Sequence, residues 1–148
     1  MAKIRTRETV IIDTGIVYAL ADRKDRWHKA SADFVNRFTG RLLIPCSVIP
    51  EACYLLNTYL GCRVEKAFIR SLIEREMVPE HISQADLERS HEILEVYADT
   101  NIGFVDASIV AVSERLNIQT ILTTDRRHFS LVRPKHCDSY QLLPASAG

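Results

Sequence analysis

Apolar residues along this chain come as short continuous runs that alternate with longer periodic stripes. The runs are Thr9 to Ile12, Leu42-Leu43-Ile44, and Ile118 with Thr120-Ile121-Leu122. Such runs suit strands buried on both faces, as parallel strands are. The stripes have helical spacing: Trp27, Ala30, Phe34, Val35 and Phe38; then Ile49, Ala52, Cys53, Leu56 and Leu60; then Val64, Phe68, Leu72 and Ile73. Leu87, Leu94, Tyr97 and Ala98 make a fourth stripe, with His91 expected at its core edge. Val105, Ile109, Val112 and Leu116 make a fifth, at i, i+4, i+7 and i+11. A shorter helix is expected over 16–21.

Punctuation supports this division. Gly40 is expected to close the helix that begins near Trp27, with Trp27 itself in the core, and Gly61 separates two helices as the bend of a hairpin. Ser47 reads as an N-cap with Pro50 in the first turn, and Ser83 with Asp86 reads as a capping box. Met77-Val78-Pro79 is extended, and a weak last strand falls between Cys137 and Leu143. Strands alternating with helices predict an α/β fold around a central parallel sheet, in one domain over 1–148.

Charge narrows the chemistry. Lys+Arg and Asp+Glu are 19 each, so a nucleic-acid contact must come from a local patch and not from net charge. Four cysteines lack C-x-x-C spacing and a neighbouring His pair, which argues against zinc and predicts buried free thiols. No apolar run approaches the ~20 residues of a membrane span. The first eight residues lack the apolar region of a signal peptide, so a cytoplasmic location is expected.

Against this background four carboxylates fall at element edges. Asp13 follows the first strand and Asp125 follows the strand at 120–122, while Glu51 and Asp106 lie in the first turns of helices. Asp99, at a helix end, is a possible fifth. Each has an ordinary reading: Asp13 caps a helix, and Glu51 and Asp106 face a helix dipole. Together, on the carboxyl side of a parallel sheet, they would repel one another unless a cation neutralised them. Hard oxygen ligands select Mg²⁺ or Mn²⁺. That arrangement suits phosphodiester hydrolysis, where the cation lowers the pKa of water and stabilises the leaving oxygen. No Ser-His-Asp or Cys-His spacing competes, and neither glycine-rich nucleotide motif is present. Phosphotransfer on an aspartate would want a second acid close to Asp13, where Gly15 stands.

The runs Val-Ile-Ile-Asp13-Thr-Gly, Glu51 in a helix after a strand, Val-Asp106-Ala-Ser-Ile-Val-Ala and Leu-Thr-Thr-Asp125-Arg-Arg-His-Phe resemble the PIN-domain ribonucleases. Within that family they are most similar to the VapC-type toxins of toxin–antitoxin pairs. The resemblance covers nearly the whole chain, from about Thr9 to Leu143. It implies a three-layer fold, Mg²⁺- or Mn²⁺-dependent endoribonuclease activity, a cognate VapB-type antitoxin, and a homodimer built on the hairpin around Gly61. Asp13, Glu51, Asp106 and Asp125 match the acidic quartet. Thr14 and Thr124 match hydroxyl residues beside the first and last acids, and Asp99 matches an acid found in some members. Gly15 departs from the pattern, since many members carry Ser there. RNA contacts are expected from Arg23, Lys24, Arg26 and Lys29, and from Arg126, Arg127 and Arg133, with His128 a secondary candidate for a general base. The alternative reading is a catalytically silent PIN-like module that binds RNA or protein.

Overall fold

A computed structural model describes residues 8–148; the N-terminal stretch read above for a leader lies outside them, apart from Glu8. Five strands, β1 (Thr9–Ile12), β2 (Arg41–Pro45), β3 (Val78–Glu80), β4 (Thr120–Leu122) and β5 (Gln141–Leu143), form one sheet. Its order is β3-β2-β1-β4-β5, and every pairing is parallel. Seven helices accompany them among the described residues: α1 (Thr14–Ala21), α2 (His28–Arg37), α3 (Val48–Leu60), α4 (Cys62–Ile73), α5 (Gln84–Val96), α6 (Phe104–Leu116) and α7 (Arg126–Leu131).

The order explains where a site can form. From β1 the chain adds β2 and then β3 on one side, and later returns to add β4 and β5 on the other. Connections leave β1 and β4 in divergent directions, so a crevice opens beyond their carboxyl ends. Asp13 and Asp125 stand there. The backbone N–H of Asp13 still donates to Leu122 O at 3.0 Å, which fixes the first acid against the end of β4.

The expected continuous apolar runs are the centre of the core: Val10, Ile11, Ile12, Ile44 and Ile121 are fully buried. The hairpin holds as expected. Gly61 has φ +97, a conformation glycine adopts without strain, and its N–H donates to Leu56 O and Asn57 O to end α3 before α4 begins. The Ser83–Asp86 capping box is present in full. No helix among the described residues is long and apolar enough to cross a membrane.

Several local expectations are corrected. α6 is not a one-sided stripe: residues 107–113 are buried on every face, while Leu116 is 38% exposed, because α6 carries α5 on its outside and so lies within the core. On α5 the buried apolar residue is Ile93, while Leu87 is 44% exposed, and His91 points to solvent beside Glu95. Gly40 does not cap α2, whose C-cap is Phe38; a Cβ on Gly40 would meet Glu8 O at 2.1 Å, so close backbone approach requires it. None of the four free cysteines is fully buried. Trp27 is half-buried outside the core, with the Arg26 and Arg126 guanidinium groups 5.7 and 5.3 Å from its ring centre. A stacked guanidinium holds an aromatic ring at a surface as well as apolar neighbours hold it in a core.

Candidate functional site

The crevice gathers groups from four parts of the chain. Asp13 is the N-cap of α1 and only 6% exposed. One carboxylate oxygen accepts the Thr14 N–H at 2.7 Å, and the other accepts the Thr123 hydroxyl at 2.9 Å. Thr123 Oγ1 in turn accepts the Asp125 N–H at 2.9 Å. One buried hydroxyl therefore joins the first and last acids across 110 residues of sequence. The supporting hydroxyl was expected from Thr124; it comes from its neighbour. Both stand in Leu-Thr-Thr-Asp125, and only the direction each side chain takes past the end of β4 decides between them.

Asp125 has two duties. Its Oδ1 accepts the His128 backbone N–H at 3.2 Å and so caps α7, a helix the hydrophobic pattern did not show. Its Oδ2 lies 2.7 Å from His128 Nδ1, which is also 3.0 Å from Asp106 Oδ2. Among the described residues that nitrogen has no partner other than these two carboxylates. His128 therefore sits between two acids and belongs to the site more firmly than its sequence context indicated.

Glu51 and Asp106 enter on α3 and α6. Ser47 was expected to cap α3, and it stands at the cap position without making that bond. Its hydroxyl is instead 2.6 Å from Ser108 Oγ, which itself donates to Val105 O. Ser47 is then the donor in the pair, and it ties the start of α3 to the start of α6. The helix starts that carry the two acids are thereby joined by a link that sequence reading missed. Thr14 is buried, and its Oγ1 has no partner among the described residues. Asp99 lies exposed in the turn after α5, and the charges that act most on Asp106 are Asp125, His128 and Glu51.

The electrostatics follow from this crowding. Burial, then the charge of Asp106, and to a smaller extent that of Asp125, push Asp13 up from 3.8 to about 7 against the hydrogen bonds from Thr123 and Thr14. Asp106 is raised as well, by burial and by Asp125 and Glu51, with His128 opposing. Among the described residues no Lys or Arg forms an ion pair with any of the four acids. Asp106, Asp125 and His128 offer ligand atoms that all lie within 4.8 Å of one another. Carboxylates short of positive charge, with an imidazole nitrogen shared between two of them, fit a divalent cation.

The expected basic residues are less concentrated than the acids. Arg23, Lys24, Arg26 and Lys29 are exposed around the start of α2. α1 runs away from Asp13 for eight residues, so they begin about 12 Å along its axis. Arg126 is committed to the fold: it packs on Trp27 and donates to Leu142 O. Arg127 and Arg133 are exposed.

Comparison with known proteins bears on the family and the fold. The PIN domain family model matches residues 10–133. The chain is 32% identical over 135 residues to Ribonuclease VapC26 of Mycobacterium tuberculosis, covering 91% of this chain and 100% of that one. Its fold is similar to that of VapC20 from Mycobacterium tuberculosis, a sarcin–ricin loop cleaving toxin (TM-score 0.75, 24% identity, 80% of this chain and 91% of the other). It is also similar to VapBC2 from Rickettsia felis bound to a DNA fragment from its promoter (TM-score 0.63, 16% identity, 90% and 96%). The acids that the sequence scattered and the fold collected are thus set in a sheet of shared ancestry, and the chain belongs to the PIN domain family.

Proposed function

We propose that this chain is a Mg²⁺- or Mn²⁺-dependent endoribonuclease and the toxin of a VapBC-type pair, with Asp13, Glu51, Asp106 and Asp125 as its acidic set. The observation that carries this reading is the Asp13–Thr123–Asp125 link beside the Asp125–His128–Asp106 contact. Three acids from distant segments are held together there without an Arg or Lys partner among the described residues. A silent binding module gains nothing from that repulsion.

Asp106 and Asp125, with His128 at their side, would hold the cation, and Asp13 and Glu51 would complete its surroundings. When bound, the cation supplies Lewis acidity that lowers the pKa of water and offsets charge on the phosphate. Thr123 keeps Asp13 and Asp125 in register with each other, and Ser47 with Ser108 does the same for the helix starts that carry Glu51 and Asp106. Without a cation, burial and the neighbouring acids hold Asp13 up to about 7, and a bound cation would favour its charged form. Exposed Arg127 and Arg133 are the cations nearest in sequence to the last acid that remain free to meet RNA phosphates.

The relatives also bear on partners. The VapBC2 assembly supports a VapB-type antitoxin as partner for this chain. A homodimer through the α3–α4 hairpin is supported by Tyr54 and Ile73, which are 68% and 65% exposed.

Incubation with total RNA, ribosomal RNA included, tests the activity. Cleavage in Mn²⁺ or Mg²⁺ should leave 5′-phosphate and 3′-hydroxyl ends and stop in EDTA. Cutting that survives EDTA, or 2′,3′-cyclic phosphate ends, would overturn the reading.

A further inference from the structure

Gly15 stands in the first turn of α1, two residues after Asp13, and its backbone does not require glycine: its φ lies outside the left-handed range. Glycine there weakens a short helix relative to alanine. Space accounts for it. A Cβ on Gly15 would lie 2.2 Å from Thr124 Oγ1, 3.3 Å from Thr124 Cβ and 3.5 Å from its Cγ2. The Thr124 side chain thus fills the place where a side chain of residue 15 would begin.

Thr124 has little freedom to withdraw. It lies between Thr123, anchored to Asp13 and to the Asp125 N–H, and Asp125, which caps α7. Its β-branched side chain is stiff about χ1. Its hydroxyl makes no hydrogen bond among the described residues and is directed at the open side of Gly15. Thr123 and Thr124 therefore act in opposite senses. The hydrogen bonds of Thr123 draw the first and last acids together, and the Thr124–Gly15 contact limits how closely their segments approach.

We propose that Gly15 and Thr124 are a matched positioning pair that sets the spacing between Asp13 and Asp125, and through it the fit of the acid site to its cation. The proposal rests on the metal-site reading above.

A double-mutant cycle tests it, with Mn²⁺ alone as probe and metal-free melting as the second readout. Gly15→Ala should weaken Mn²⁺ binding about tenfold and Thr124→Ala by a few-fold, as lost supports of metal sites do. In the combined Gly15→Ala/Thr124→Ala protein the new Cβ takes the space of the lost hydroxyl. Binding should then return to within about twofold of wild type, a non-additivity expected only of residues in contact. Metal-free melting temperatures should follow the same order, the double variant above either single one. If Gly15→Ala does not fold alone, soluble protein should reappear in the double variant. Three results would overturn the proposal: wild-type Mn²⁺ affinity in Gly15→Ala, wild-type affinity in Thr124→Ala, or a double variant as impaired as Gly15→Ala. A wild-type protein that ignores Mn²⁺ would instead refute the metal-site reading, and the metal-free melting cycle would still decide whether the pair is matched.

Discussion

Asp13 and Asp86 are both buried aspartates, 6% and 2% exposed, and their environments drive them in opposite directions. Burial raises both. At Asp86 the hydrogen bonds from Arg115 and Ser83 outweigh it and hold the carboxyl below its ordinary value. Arg115 donates to both oxygens of Asp86, and also to Glu80 and to His81 O. Nearby, Arg89 grips Glu114 at 2.7 Å, and that acid is likewise lowered despite its burial. At Asp13 the neighbours are further acids, and the carboxyl rises to about 7. Where acids serve the fold, as between α5 and α6, the chain supplies their cations. Where they crowd the crevice beyond β1 and β4, the described residues supply one imidazole and leave the remaining charge for a ligand. Incomplete compensation marks a candidate site better than the number of acids does.

Substitutions can break this contrast from either side. The largest effect is expected in the crevice: Asp106→Asn should lower RNA cleavage by about three orders of magnitude, roughly 4 kcal/mol of transition-state stabilisation. Its circular dichroism should remain native; a variant with near-normal turnover would remove Asp106 from the chemistry. Next is the clamp. Arg115→Ala leaves Asp86 buried without its cation and should cost about 3 kcal/mol in urea unfolding, while the melting-temperature response to Mn²⁺ stays as in wild type. A changed Mn²⁺ response would mean that the two clusters are coupled and the contrast is false. Smallest is Asp125→Asn. Asparagine keeps the α7 cap, because it accepts the same backbone hydrogen bond, and removes a repelling charge. The metal-free protein should gain on the order of 1 kcal/mol, limited by solvent screening, and lose most of its response to Mn²⁺. Destabilisation with an intact response would show that Asp125 serves only as a cap.

Much of the fold could be read in the chain because it rests on patterns with a local cause. Val10 to Ile12 is apolar at every position because it is buried on both faces, and Gly61 marks the hairpin because α3 must end there. The acids were legible for a different reason: each sits at an element boundary, and boundaries on the carboxyl side of a parallel sheet converge. What could not be read was orientation. Thr123 and Thr124 are chemically alike, and the turn after β4 decides which one bonds Asp13. Trp27 has the spacing of a core residue, yet Arg126, ninety-nine positions away, holds it at the surface. The Ser47–Ser108 bond joins two residues that each look like ordinary helix-start serines. Side-chain contacts between distant segments leave no local trace, and those contacts refine this site.

The central claim, that the described residues leave the crevice's acids short of positive charge until a cation arrives, is tested most directly by unfolding free energy against pH in EDTA, with and without Asp13→Asn. In the unfolded chain Asp13 releases its proton near 3.8, and in the native protein near 7. Across that window the native state binds the extra proton, so its stability is greatest at the acid end and falls as pH rises toward 7. Asp106 shifts the same way and adds to the slope. Asp86 and Glu114, both lowered, act oppositely: their contribution is present above their ordinary values and is lost only below about pH 4. Wild-type protein in EDTA should therefore lose stability relative to Asp13→Asn between about pH 4 and pH 7, and Mn²⁺ should restore it most at the alkaline end. Parallel curves for the two proteins, with no stabilisation by Mn²⁺ at pH 8, would contradict the account.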